Sequence, residues 1–120
     1  MALAPQVAFI QAQLDAMPGA VAETARVKGV YLYKVAGKVF AILSTRADAA
    51  VSLKCDPVLA EILRETYACV GHRYHLDRRR WISVDLDGGL DDEELGRLAA
   101  GSYDLVKAGL TKAQRATIPG

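Results

Sequence analysis

Three consecutive arginines, Arg78, Arg79 and Arg80, stand directly before the single tryptophan of the sequence, Trp81. Arginine side chains contact the phosphates of nucleic acids, and an aromatic ring beside them stacks readily on a base. Such a run is equally typical of the tip of a hairpin, where adjacent charges contact only water. The sequence therefore leaves two interpretations open, a nucleic-acid grip and an exposed wing without a partner.

Other side chains are candidates for the same chemistry. The basic candidates are Lys34, Lys38, Lys54 and Arg73, and the candidate aromatic neighbours are Tyr31, Tyr33 and Tyr74. For Trp81 the sequence leaves both a core position and a base-stacking position open. Tyr103, in an amphipathic helix, is expected in the core or at its rim. We expect phosphate contacts from Lys38, Lys54, Arg73 and the arginine run, and the pattern gives no basis for reading the bases.

The charge of the whole chain does not favour a polyanion, because 15 lysines and arginines against 14 acidic residues leave a net charge of +1. Any affinity for nucleic acid must come from local asymmetry. The stretch from Arg73 to Arg80 is mainly basic, whereas every charged residue from Asp85 to Glu94 is acidic. Asp91 with Glu94 three residues later predicts a helix N-terminus, where each negative group stabilises the helix by up to about 1 kcal/mol. We interpret the acidic cluster as structural.

Signatures of catalysis are missing from the sequence. It contains no GxSxG, no HExxH, no phosphate-binding glycine loop with a following lysine, and no evident Cys/His pair. His72 and His75, three residues apart on a predicted strand, would point to opposite faces and not converge on one metal ion. Cys55 and Cys69 form no CxxC pair, and we expect both to be reduced and buried. We predict a protein that is not an enzyme, with no cofactor and no metal.

The length of 120 residues predicts a single domain spanning residues 1–120. The longest apolar runs, such as Val39–Leu43, are far shorter than the roughly 20 residues that span a bilayer. The first residues also lack the positive region of a signal peptide. We therefore expect a cytoplasmic protein without a membrane partner.

Apolar spacing predicts a first helix from about Pro5 to Ala16, ended by the Pro18-Gly19 pair. Three strands follow, at Val30–Val35, Lys38–Ser44 and Ala49–Cys55, and a tight turn at Ala36-Gly37 joins the first two. An antiparallel meander is the simplest topology for them.

The second half of the chain predicts a helix, a hairpin and a final helix. Asp56 and Pro57 are suited to the N-cap and the first position of the helix, whose buried stripe we expect at Leu59, Ile62 and Leu63 with Thr66 or Tyr67. The stretches Arg73–Leu76 and Arg80–Leu86 then predict a second hairpin with its turn at Asp77–Arg79. The final helix begins after Asp91 and ends at Gly109.

Four segments together resemble the MmcQ/YjbR family of small bacterial proteins: AGKVFAIL (36–43), VSLKCDP (51–57), YHLDRRRWISVDLDG (74–88) and SYDLV (102–106). The resemblance covers nearly the whole chain. It implies an α+β fold of the CyaY-like type, in which a curved antiparallel sheet packs against helices in two layers. The positions that recur in the family fall on Gly37, Lys38, Phe40, Lys54, Trp81, Ser102 and Tyr103.

The family is usually labelled DNA-binding, because its fold is similar to that of a double-wing DNA-binding domain. With the arginine run, this label implies a non-catalytic protein, a monomer or weak dimer, that binds double-stranded DNA weakly through the sheet and the second hairpin. The alternative is an adaptor domain that binds a protein partner. Iron binding of the frataxin type is disfavoured, because the first helix carries a single carboxylate, Asp15.

Overall fold

A computed structural model describes residues 5–73 and 76–119 of the chain. The elements in these ranges are α1 (Pro5–Asp15), β1 (Ala20–Thr24), β2 (Val30–Val35), β3 (Lys38–Ser44), β4 (Ala50–Lys54), α2 (Pro57–Thr66), β5 (Val70–Gly71), β6 (Trp81–Asp85), α3 (Asp92–Ala108) and α4 (Lys112–Ala116). Within those ranges, no helix is long and apolar enough to cross a membrane.

The strands form one antiparallel sheet in the order β1-β2-β3-β4-β6-β5. α1 and α3 pack on each other, α1 also contacts β1, and α3 contacts the three strands β2, β3 and β4. α2 lies beside the other end of the strand order, against β5 and β6. The predicted α+β class, an antiparallel sheet packed against helices, is confirmed.

Successive side chains of each strand point to opposite faces of the sheet. Leu53 pairs with Ala41 on one side and with Ile82 on the other, and all three are buried. Tyr33, which also pairs with Ala41, donates a hydrogen bond from its hydroxyl to Asp15 of α1 at 2.9 Å. This face is therefore the one that α1 and α3 cover, and we call the opposite side of the sheet the outer face.

The turn between β2 and β3 has positive φ angles at both of its central residues, 48° at Ala36 and 81° at Gly37. Two such residues form a type I′ turn, whose twist matches the twist of the two strands that it joins. Gly37 adopts this conformation without steric cost, whereas Ala36 carries the strain of its Cβ. The predicted hairpin, with strands at Val30–Val35 and Lys38–Ser44, is confirmed.

The buried stripe predicted on α2 was wrong in two of its positions. Leu59 is 41% and Ile62 is 52% exposed, and Val58 beside them is 67% exposed. The buried residues of α2 are instead Ala60 and Leu63. The strands that α2 packs against are mainly the short β5 and the neighbouring β6, so the buried side of the helix is narrow. One apolar stripe of α2 is thus left on the surface.

The predicted second hairpin has its first strand in the wrong place. The strand that pairs with β6 is β5, where Val70 opposes Val84 and Gly71 opposes Ser83. Arg73 and Leu76 lie in the connection that follows, and Tyr74 and His75 fall outside the described residues. Burial explains the shift, since Val70 is 5% exposed and enters the core, whereas Arg73 ends in a charged guanidinium group that is costly to bury there.

Candidate nucleic-acid interface

Lys54 and Trp81 lie side by side on the outer face, as register partners at the end of β4 and the start of β6. Both side chains are partly exposed. Side chains directly opposite one another in an antiparallel pair have Cβ atoms about 4.5–5.5 Å apart. The aliphatic stem of Lys54 and the indole of Trp81 therefore form one continuous surface, with a cation at its edge.

The arginine run forms a turn that leads directly into Trp81, and its backbone is fixed at three points. The N–H of Arg79 donates to Asp77 Oδ1 at 3.0 Å, and the carbonyl of Arg78 accepts from Nη1 of Arg64 in α2 at 3.0 Å. The carbonyl of Arg80 accepts from the N–H of Cys55 at 2.7 Å, which extends the ladder between β4 and β6.

All three arginine side chains of the turn are exposed. Arg80 Nε lies 3.9 Å from Asp77 Oδ2, a long contact between exposed groups that contributes little and leaves the cation solvated. The turn thus exposes three guanidinium groups, and the conformation of its backbone is fixed by bonds in which these groups take no part. We call Lys54, Trp81 and the turn of Arg78–Arg80 the basic end of the sheet.

Lys38 and Arg73 lie near the basic end without joining the Lys54–Trp81 pair. Lys38 begins β3 as the partner of Val35, which is buried in the core, so alternation puts Lys38 on the helix-covered side. Arg73 is partly buried, and its Nε has no hydrogen-bond partner among residues 5–73 and 76–119. Of the predicted phosphate contacts, the structure brings together Lys54 and the arginine turn.

The acidic stretch of the sequence lies away from the basic end. Asp85 closes β6 and pairs with Ala50 at the opposite end of β4. Four residues of extended strand, roughly 13 Å, separate Asp85 from Trp81. The carboxylates that follow Trp81 in the sequence therefore do not oppose an anion at the arginine turn.

The acidic residues at the start of α3 have structural partners. Asp91 is the N-cap, and its Oδ1 accepts from the N–H of Glu94 at 2.9 Å. Glu93 and Glu94 form ion pairs with Arg97 at 3.3 Å and 2.7 Å. The interpretation of this cluster as a helix N-terminus is confirmed.

The aromatic side chains other than Trp81 divide between core and surface. Tyr103 is 6% exposed, its ring meets Phe40 edge-on at 5.4 Å, and its hydroxyl donates to the Pro18 carbonyl at 2.7 Å. Tyr103 is thus a core residue, as predicted. Tyr33 is 2% exposed and faces α1, so its expected role as an aromatic neighbour of the basic residues was wrong. Tyr31 is only partly buried, and Tyr74 lies outside the described residues.

Neither cysteine is poised as a nucleophile. Cys55 and Cys69 are free and buried, as predicted. Burial raises the pKa of both thiols, and Asp56 beside Cys55 and Asp87 beside Cys69 raise the pKa further. Both therefore stay protonated near neutral pH, where only a thiolate would attack. In the part of the chain that the structure describes, no three His, Cys, Asp or Glu side chains are grouped to hold a metal ion.

Arg64 is a residue of this site that the sequence did not single out. It lies in the last turn of α2, where a basic residue is expected simply because it offsets the helix dipole. Its bond to the carbonyl of Arg78 spans 14 residues of sequence, and no local pattern indicates it. Arg64 ties the arginine turn to α2.

Comparison with known proteins places the chain among uncharacterised bacterial relatives. The YjbR family model matches residues 15–105. The uncharacterized protein YjbR of Escherichia coli K12 is 44% identical over 54 residues, which is 45% of this chain and 46% of that protein. The aligned part thus spans about half of that relative. The uncharacterized protein YbdF of Escherichia coli O157:H7 is 31% identical over 91 residues, covering 74% of this chain and 75% of the relative.

Two crystal structures have a similar fold. A Deinococcus radiodurans protein with the family-model domain DUF419 superposes with a TM-score of 0.81 at 32% identity, over 89% of this chain and 83% of the other. A Pseudomonas syringae protein has a TM-score of 0.67 at 21% identity, over 84% of this chain and 97% of the other, and supports the fold alone. The names of these relatives and structures state no catalytic activity.

Proposed function

The chain belongs to the YjbR family, and we propose that it binds double-stranded DNA weakly, without catalysis, through the basic end of its sheet. The observation that carries the proposal is the position of the arginine turn. Its three exposed guanidinium groups follow one another on a fixed backbone, directly beside the Lys54–Trp81 pair. Cations held in this way contact phosphates without a large loss of backbone entropy on binding.

The size of the basic end fits a small number of phosphates. Lys54 and the three arginines of the turn supply four cations at β4 and β6, which are neighbouring strands. The two strands lie about 4.8 Å apart, and each DNA strand carries a phosphate about every 3.4 Å along the duplex axis. If binding involves about four phosphate contacts, a fourfold rise in salt concentration weakens the affinity roughly a hundredfold. We expect affinity that is low, salt-dependent and nearly independent of sequence.

The test is fluorescence anisotropy of a labelled random duplex, titrated with the protein at about 50 mM and about 200 mM salt, where phosphate contacts change affinity most clearly. Trp81 is the only tryptophan, so quenching of its emission in the same titration reports whether DNA reaches the outer face. Saturable binding with a steep salt dependence is expected. A duplex that stays free at the lower salt would show that the proposal is wrong.

Two triple variants with the same change of charge locate the site. Changing Arg78, Arg79 and Arg80 to Ala should lower affinity and flatten the salt dependence, while the backbone anchors of the turn remain. The control changes Arg26, Lys28 and Arg46 to Ala, which are exposed in the loops at the other end of β2 and β3. The control should retain nearly the wild-type salt dependence. Equal losses in both variants would mean a general attraction to DNA rather than binding at the basic end.

A further inference from the structure

The exposed side of α2 carries an apolar stripe that nothing in the described structure covers. Val58, Leu59 and Ile62 are 67%, 41% and 52% exposed. At 100° per residue, Val58 and Ile62 lie about 40° apart around the helix axis, and each lies about 160° from Ala60, the centre of the buried side. Val58 and Ile62 therefore point away from the core, and Leu59, about 100° from Ala60, lies at the edge of this surface. We call these three residues the α2 stripe.

Charged groups of both signs border the α2 stripe along one flank. Glu61 and Glu65 lie on the helix between the stripe and Arg64, and all three line an open groove of about 430 Å³ with Arg78 and Arg79 of the arginine turn. A second, smaller pocket shares Glu61, Arg64 and Arg79 with this groove and reaches Val58 of the stripe. None of these five charged residues pairs with another in the salt bridges of the described part of the chain. The flank thus has two carboxylates and the guanidinium groups of Arg78 and Arg79 available for a partner, whereas Arg64 is engaged by the carbonyl of Arg78.

A surface of this kind is complementary to itself. A two-fold dimer contact uses the same patch on both subunits, so each patch must supply both members of every pair. When two copies of α2 pack antiparallel about an axis perpendicular to both helices, their stripes meet and their charged flanks lie on the same side of the contact. The carboxylates of one copy then face the arginines of the other.

We propose that the α2 stripe binds the α2 stripe of a second copy of this chain, with Glu61 and Glu65 of each subunit facing Arg78 and Arg79 of its partner. The contact rests on one ten-residue helix and the adjoining turn, which is small beside interfaces of permanent dimers. The dimer is therefore weak and depends on concentration. The proposal goes beyond DNA binding and does not require it, and because both contacts use Arg78 and Arg79, dimer and DNA would compete for these side chains.

Analytical ultracentrifugation of the full chain over a range reaching on the order of 1 mM measures the association directly. The wild type should shift from monomer towards dimer as concentration rises. Changing Val58 and Ile62 together to Glu should raise the dissociation constant by at least about tenfold, because apolar area is lost and like charges meet. The control, Leu105→Glu, puts a carboxylate on an exposed apolar residue of α3, which is 41% exposed, and should leave association unchanged. Thermal unfolding verifies that each variant is folded.

A charge exchange tests the pairing itself. One variant carries Glu61→Arg and Glu65→Arg, and the other carries Arg78→Glu and Arg79→Glu. Each alone should associate more weakly than the wild type, and an equimolar mixture should recover association as a mixed dimer. A mixture that remains monomeric, or a wild type that remains monomeric at the highest concentration, overturns the proposal and assigns the stripe to another protein. A further variant with Val58→Ser and Ile62→Ser loses the apolar contact but leaves every charge in place, so its DNA binding is measured independently of association.

Discussion

The hydroxyl of Ser102 accepts a hydrogen bond from the backbone N–H of Lys54 at 2.8 Å. The same hydroxyl donates to the carbonyl of Phe40 at 2.5 Å. Ala41 pairs with Leu53, so the next position along the two strands would pair Phe40 with Lys54. Phe40 is also the extra residue of a β-bulge, because Tyr33 opposes Ala41 and Lys34 opposes Val39. A side chain of α3 thus bridges β3 and β4 at the last residue of β4, Lys54, where the regular strand pairing ends.

Changing Ser102 to Ala should destabilise the protein by about 1–3 kcal/mol. Ser102 is fully buried, and its loss leaves the N–H of Lys54 and the carbonyl of Phe40 without a partner. Urea unfolding measures the change. The neighbouring Gly101→Ala is the control, because Gly101 is helical and a Cβ there meets nothing within 4 Å. That variant should be more stable than the wild type, by about 0.4–1 kcal/mol. A Ser102→Ala protein as stable as the wild type would show that the bridge is dispensable.

The buried Tyr33 should make the protein less stable in alkali. Burial raises the pKa of Tyr33 well above its ordinary value of 10.0, and the carboxylate of Asp15, to which its hydroxyl donates, raises that pKa further. The unfolded chain loses this proton near pH 10 while the folded chain keeps it. The contribution to stability is therefore complete below about pH 10 and decreases as pH rises towards the pKa of the folded state.

Tyr33→Phe isolates this effect. Between about pH 10 and about pH 11 the free energy of unfolding of the wild type should fall by about 1 kcal/mol more than that of the variant. Urea unfolding at several pH values gives both curves. Cys55 and Cys69, whose pKa values burial also raises, are present in both proteins and cancel in the difference. Parallel curves would mean that the Tyr33 hydroxyl ionises as easily in the folded protein as in the unfolded chain.

Local signals in the sequence predicted most of the fold. The Asp56 side chain does accept hydrogen bonds from the N–H groups of Val58 and Leu59, and the predicted first, second and third helices all exist. β1 was missed because Ala20–Thr24 has no buried alternation, and its strand conformation depends on distant pairing with β2. α4 was missed although Thr111 and Gln114 form a capping box, since the helix has only five residues and none of them is buried.

The site was predictable only where it depended on residue type. The arginine run and Trp81 are visible in the sequence, and so is Lys54, but their proximity follows from the register of β4 and β6. The exposed α2 stripe could not be predicted, because an apolar pattern does not indicate which of two apolar sides of a helix meets the core. Leu63 enters the core as predicted, but Ala60 joins it in place of Leu59 and Ile62, because α2 packs against β5 and β6.

Asp91→Ala should destabilise the protein by about 1 kcal/mol through loss of the N-cap of α3, and Asp91→Asn should restore most of that stability. Thermal unfolding distinguishes the two. Asp91 caps the helix beyond the acidic end of β6, so neither change should alter DNA affinity by more than about twofold at moderate salt, where distant charges are screened. A large gain in DNA affinity on removing this carboxylate would show that the acidic cluster repels DNA after all.

Arg64 should control the order of the arginine turn without contributing much to global stability. Arg64→Gln shortens the side chain and removes the guanidinium that donates to the Arg78 carbonyl, an exposed bond worth about 1 kcal/mol. Amide exchange should therefore become faster locally by roughly fivefold. The amides to follow are those of Arg79, Arg80 and Trp81, because all three donate within the turn to Asp77. Hydrogen exchange measured by NMR resolves these three amides individually.

The control is Glu65→Gln, one residue along α2, which should leave the exchange of these amides unchanged. If Arg64→Gln also leaves it unchanged, the Asp77 bonds alone fix the turn, and any loss of DNA affinity in that variant must come from the missing charge.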